Sequence, residues 1–308
     1  MSVTDRMFAA GFVVAWSGGF IGIEIGTRDA PAPTLLAWRF LVLAVPAALW
    51  LWWRLRRRSL PSRRHLGVHV AVALLAQVGY LAGIGYAAQL GVAPGLVSLI
   101  AALQPIVMAV AASRFLGQPA TKVQIVGLAV GLAGVGLVVW ADAGGGTAPL
   151  WAFALPYAAV VSIVTGTVIE RREDPDDLGQ TEALALHFLV AAVVFGCLSA
   201  ATGTLEPPMT ADFWTGVAWT VVFAGIGGYG LYWAVVHRSG ATTASGLLYL
   251  TPPTTMLWAW LMFGDELHSL SWAGLAVVAI GVALALRGRP HADRDDREPQ
   301  PAEAADPA

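Results

Sequence analysis

The sequence predicts an all-α integral membrane protein in which ten transmembrane helices form two inverted five-helix repeats. Three observations carry this. Of 308 residues, 57% are apolar and 12% charged, with a mean hydropathy of +0.66, which no soluble globular profile matches. Ten apolar segments of about 20 residues each lie between Gly or Pro turns and short charged loops, long enough to span a bilayer core at about 1.5 Å per residue. Finally, the chain matches itself at a fixed offset of 147 residues. The net charge of -2 gives no overall electrostatic reason to expect a nucleic-acid partner or an anionic surface.

The first span, 7–26, holds AWSGGFIGIEIG, where Gly18, Gly22 and Gly26 make a small-residue ridge suited to close packing, and Glu24 lies near the far end. The A-P-A triplet at Ala30 to Ala32 resembles a signal cleavage site, but the stretch is long enough to span and the repeat needs it, so it is expected to be retained. The second span, 34–53, sets Arg39 among apolar residues in LAWRFLVL. A central Arg costs about 2.5–3.5 kcal/mol in an inserting helix, so it needs a partner or a purpose. Trp50, Trp52 and Trp53 close that span beside an arginine loop, as interfacial anchors do.

The third span, 67–88, offers Tyr80 and Tyr86. The fourth, 94–113, spaces Gly95, Ser98, Ala102, Pro105, Ala109 and Ala112 at intervals of three and four, one small-residue face interrupted by a proline. The fifth to seventh spans are 123–141, 150–169 and 183–202; the last carries His187 and Cys197, the only cysteine, which can form no internal disulfide. The eighth, 213–236, contains GIGGYG, but with no preceding strand the dinucleotide reading of G-x-G-x-x-G fails its context. The ninth, 241–263, carries Tyr249, Thr251, Pro252 and Pro253, and the tenth is 270–287. Residues 288–308, rich in Pro, Ala and acids, read as a disordered cytoplasmic tail.

Orientation follows from the basic residues. Sixteen fall on one side, from Arg6 through the cluster Arg54 to Arg64 and on to Arg287 and beyond. The opposite loops hold only Arg28, and Arg39 is the remaining one. Both termini are expected in the cytoplasm.

In the internal match, Ser98 aligns with Ser245, Pro105 with Pro252, Gly117 with Gly264, Gly127 with Gly274 and Gly134 with Gly281. An offset of 148 aligns FLVLAV with FLVAAV and sets Arg39 opposite His187. Two copies follow, 1–144 and 145–287. Because five is odd, the second copy enters the bilayer upside down. The pair is then related by a two-fold axis in the membrane plane, with a site expected between the halves near mid-bilayer, as alternating access requires.

AWSGGFIGIEIG, LAWRFLVLA, SLIAALQPIVMAVAASRFLGQ and ASGLLYLTPPTTMLWAWLMFGDEL, in this order, resemble the EamA family of the drug/metabolite transporter superfamily over residues 7–287. The resemblance implies small-molecule transport, most often export, through a cavity lined by the first four helices of each repeat, with the fifth and tenth peripheral. The sequence departs from the family at Gln118, where an acidic residue is common and where Asp265 keeps it in the second copy, and at Glu24, where many relatives have Lys.

The expected substrate pathway comprises Trp16, Glu24, Arg39, Tyr80, Ser98, Gln104, Pro105, His187, Tyr232, Tyr249, Thr251 and Pro252. Glu24 and Arg39 reach comparable depth, and two readings stand: a structural ion pair, or an Arg39 that orients an anionic substrate group beside a Glu24 that exchanges protons. His187 reads first as a neutral, hydrogen-bonded residue and second as a proton carrier. Pro105 and Pro252 should kink their helices toward the cavity, with Gln104 and Thr251 beside the kinks as polar contacts. Tyr86, Tyr229 and Trp233 join Trp16, Tyr80, Tyr232 and Tyr249 as aromatic faces for a solute.

His65 and His69 have helical spacing but are too few for a metal site. No cofactor and no catalytic set is indicated. The expectation is an inner-membrane exporter of a small metabolite, amino-acid-like compound or drug, with protons as a candidate coupling partner. The alternative is a membrane-embedded enzyme or flippase acting on a lipid-linked substrate.

Overall fold

The computed structural model describes residues 3–56, 61–117, 121–143, 148–175, 177–239, 244, 246–265 and 269–287. Every regular element among them is helical. In chain order these are α1 (Val3–Thr27), α2 (Ala32–Leu55), α3 (Arg63–Gln89), α4 (Pro94–Phe115), α5 (Lys122–Ala143), α6 (Ala154–Glu173), α7 (Gln180–Ala201), α8 (Ala211–Ser239), α9 (Thr251–Phe263) and α10 (Ser269–Arg287). The first eight are long and apolar enough to cross a bilayer, α6 together with its opening turn Leu150–Phe153. α9 is shorter, as described, than the span expected there, and α10 matches its expected span to within one residue. Ser245, Gln118 and the tail 288–308 lie outside the described residues.

Proline decides where α4 and α9 break. α4 runs to Ala101 and resumes at Gln104 with Pro105 in its first turn; α9 resumes at Thr251, with Pro252 in its first turn, after a short turn at Leu248–Leu250. A proline lacks the N–H a continuing helix needs but suits a helix's first turn, so each kink is a restart. The two restarts, Gln104 and Thr251, are 147 residues apart. The same offset relates the left-handed glycines that end the helices, Gly117 at φ 67° and Gly264 at φ 75°. It also relates the starts of two π-helical stretches inside α3 and α8, Ala73–Gly79 and Thr220–Gly228.

Packing shows the inverted symmetry. α1 lies on α8 and α9, and its counterpart α6 lies on α3 and α4; α2 packs against α7 and α5 against α10, each helix meeting its own copy. The α2–α7 pair is antiparallel. Arg54 near the end of α2 bonds Glu182 near the start of α7 at 2.8 Å, while Thr34 and Trp38 near the start of α2 donate to Thr204 and Leu205 beyond the end of α7. Phe40, stacked on Phe195, fills the crossing.

α5 and α10 approach through the repeated glycines. A Cβ on Gly134 would lie 2.7 Å from the Val278 backbone nitrogen, and one on Gly281 2.6 Å from the Gly127 carbonyl oxygen. The ridge in α1 packs likewise: Gly18 meets Phe223 and Trp258, and Gly22 meets Thr220. Trp50, Trp52 and Trp53 are exposed, with Arg56 over the Trp52 ring at 3.6 Å, as expected of interfacial anchors.

Candidate functional site

Between the halves lies a cavity lined by α1 (Trp16, Gly19, Phe20, Ile23), α2 (Arg39), α3 (Ala76, Gln77, Tyr80, Leu81, Ile84), α6 (Ile163) and α8 (Ala224, Tyr229). It holds about 560 Å³ including its open side, in the range of small-molecule sites. Both π-helical stretches reach it, and each is followed directly by a tyrosine, Tyr80 or Tyr229. A π turn inserts one residue per turn and rotates the side chains after it, and such turns cluster at functional sites. Small residues permit the close approach behind these stretches, Gly83 against Ala159 and Gly227 against Ala15. Within GIGGYG, Gly225 packs on Leu43 of α2 and Gly227 on Ala15 of α1.

Arg39 is the charge in this cavity. Its side chain is 3% exposed, and Nε and Nη1 are buried with no hydrogen-bond partner among the described residues. Its guanidinium sits 5.1 Å from the Phe40 ring centroid, and the phenols of Tyr229 and Tyr80 lie within its electrostatic reach. Gln77 donates to the Tyr229 hydroxyl at 2.8 Å, which fixes that phenol, and Trp16 stands edge-on to the Tyr229 ring at 6.0 Å. A buried guanidinium with free donors is a ready partner for a carboxylate or phosphate.

A smaller chamber shares the wall of Trp16, Phe20 and Tyr80 and extends to both helix restarts through Ser98, Ala101, Ala102, Gln104, Pro105, Leu248 and Thr251. Ser17 of α1 donates to the Thr251 carbonyl at 3.3 Å, tying α1 to the α9 restart. Ser98 donates to the Gly95 carbonyl at 2.7 Å within its own helix.

The Glu24–Arg39 ion pair, one of the two readings of these charges, does not form. Glu24 bonds Arg28 at 3.3 Å, one turn further along α1, and lines neither chamber. Spacings of i and i+4 place two side chains on one helix face, so the nearer cation takes the carboxylate. His187 is also absent from both linings and faces His69 of α3, with ring centroids 5.9 Å apart. Tyr232 packs on Phe12 and Trp16 behind the wall; Tyr249 packs against the core and Pro252 is buried in the first turn of α9. Trp16, Arg39, Tyr80, Ser98, Gln104, Pro105 and Thr251 are thus brought together. Sequence reasoning missed Gln77 and Phe20. A buried glutamine in an apolar span was the available signal for the first; the second had none.

A family model described as the EamA-like transporter family matches the chain twice, over residues 6–140 and 148–287. A probable amino-acid metabolite efflux pump of Salmonella typhimurium is 24% identical over 299 residues, covering 94% of this chain and 96% of that protein. The uncharacterized inner membrane transporter YedA of Escherichia coli is 23% identical, covering 90% of this chain and 88% of the relative. The uncharacterized transporter sll0355 of Synechocystis is 24% identical over a match spanning 62% of each. One crystal structure shares the fold with a TM-score of 0.63 at 18% identity, covering 94% of this chain and 99% of that one.

Proposed function

This chain belongs to the EamA-like transporter family and is a multi-pass membrane transporter, and from that premise we propose that it exports small metabolites bearing an anionic group by alternating access. The observation behind the reading is Arg39: a buried cation, with no carboxylate among the cavity-lining residues and two donors free, in a chamber between the repeats. A solute carboxylate takes those donors, while its apolar body rests on Trp16, Phe20 and Tyr80. Amino-acid-like compounds suit this site, in keeping with the name of the Salmonella relative.

The repeats, 1–144 and 145–287, rock about the site. The cavity draws on the half of α1 and α3 nearest the α1–α2 loop, which we take to be the outer side, with both termini cytoplasmic and the protein in the inner membrane. At the other end Arg54–Glu182, Arg64–Glu173 at 2.7 Å and His65–Asp177 tie the halves together. These contacts close the cytoplasmic face in this conformation. The chain is proposed not to be an enzyme: the polar groups lining the cavity, Arg39, Gln77, Tyr80 and Tyr229, offer no activated nucleophile with a base beside it.

The test is counterflow in reconstituted vesicles with a panel of labelled monocarboxylates, amino acids and amines. Carboxylates are expected to exchange, and Arg39→Gln to abolish their preference over amines. If no solute moves under an imposed solute or proton gradient, the reading fails.

A further inference from the structure

We propose that His69 and His187 form a proton-binding site that controls closure of the cytoplasmic face, a role that rests on the transport reading above. His69, on α3, is 2% exposed, and His187, on α7, is 7% exposed. Their rings lie 5.9 Å apart with 52° between planes. Both ring nitrogens of His69 and Nε2 of His187 are buried with no hydrogen-bond partner among the described residues. A neutral imidazole carries one donor and one acceptor, and burying either unpaired is unfavourable. Two apolar side chains would join α3 to α7 at less cost, so the histidines answer to something other than packing.

Several of the charged and titratable groups on the surrounding elements are paired with one another. On α3, Arg64 holds Glu173 of α6, and His65 holds Asp177 of the α6–α7 connection. On α7, Glu182 takes Arg54 of α2. Glu170, Arg171 and Arg172 lie in the last turn of α6. Arg39 of α2 and Tyr229 of α8 belong to the cavity. No carboxylate among the described residues is hydrogen-bonded to either ring.

A proton added to one ring turns both of its nitrogens into donors, where neither nitrogen of His69 nor Nε2 of His187 has a hydrogen-bond partner among the described residues. The charged form is therefore stabilised only when α3 and α7 part and water enters. Tight packing and protonation exclude each other. His65, four residues before His69 and hydrogen-bonded to Asp177, marks the approach from the cytoplasmic end. Proton uptake opens that face for loading of the solute, and proton release closes it again.

Hydrogen–deuterium exchange on the full-length protein in nanodiscs, between pH 8 and pH 5.5, tests this after correction for intrinsic exchange rates. Opening of residues 65–73 and 180–188 is expected to rise about tenfold per pH unit while one proton is taken up per opening, with peptides from α5 and α10 unchanged. The double variant His69→Gln, His187→Gln is expected to flatten the slope. A wild type with no slope, or a double variant that keeps it, overturns the proposal.

Should the double variant not fold, nitrogen NMR of histidine-labelled wild type decides: the two rings are expected to titrate as a coupled pair, and independent titration overturns the proposal. These readouts need no solute. A slope in a protein that moves no solute leaves the proton site standing and sinks transport; movement of solutes with no slope does the reverse.

Discussion

Arg39 and His187 occupy the same place in their repeats. Each stands seven residues beyond the start of its helix, Ala32 or Gln180, so each sits about 10 Å from one end of the antiparallel α2–α7 pair. Their surroundings differ. Arg39 faces a cavity walled by two phenols and an indole, while His187 faces another imidazole across a packed helix contact. Duplication preserved the geometry of the site, and the residues around it determined the chemistry. The end nearest the α1–α2 loop carries a charge that is permanent at any biological pH. On the proposal above, the opposite end carries one that can be added or withdrawn.

Arg39→Leu should separate the two ends most sharply. Carboxylate counterflow is expected to fall about 10–100-fold, the equivalent of about 1.5–3 kcal/mol for hydrogen bonds to a charged group. Thermal stability should hold, since the substitution removes an unpartnered buried charge. The double variant His69→Gln, His187→Gln should do the opposite, sparing carboxylate preference and removing the pH dependence of opening. The shared frame is tested by Gly281→Leu, expected to cost about 1–3 kcal/mol of stability in thermal unfolding because the side chain meets the α5 backbone. Gly136, with open space around it, should accept alanine without loss.

Tyr229→Phe removes the acceptor of the buried Gln77 amide and should cost about 1–2 kcal/mol of stability, with weaker discrimination among aromatic carboxylates in the same counterflow assay. In the α6–α7 connection, the Ser62 backbone N–H and His65 hold the Asp177 carboxyl below the ordinary aspartate range. A depressed value contributes stability above that range and loses it as pH falls through the folded value. Asp177→Asn should flatten the acid limb of thermal stability against pH. Least of all, Glu24→Gln should change stability by less than about 0.5 kcal/mol, since it loses one partly exposed i,i+4 pair, and should leave transport intact.

Much of the frame was legible in the sequence. Apolar segments bounded by loop residues gave the helices, and matched glycines and prolines gave the duplication, because those residue types have backbone consequences wherever they stand. The restarts at Gln104 and Thr251, the turns at Gly117 and Gly264 and the α5–α10 glycine contact arise from that. The candidate site was legible in part. Arg39, Trp16 and Tyr80 were visible as polar or aromatic residues in apolar spans. Glu24 instead pairs with its i+4 neighbour, Arg28, which was in plain sight.

The membrane-crossing helices, their pairing as two copies and the places where the backbone must bend are local or periodic properties, and the order of residues along the chain suffices to set them. The meeting of particular side chains belongs to the tertiary structure alone. His69 finds His187 and Gln77 finds Tyr229 because two helices far apart in sequence are brought side by side, and because π turns in α3 and α8 rotate the residues beyond them. Such contacts depend on helix rotation and depth. A change of one residue per turn redirects a side chain by about 100°, a shift that hydropathy does not register.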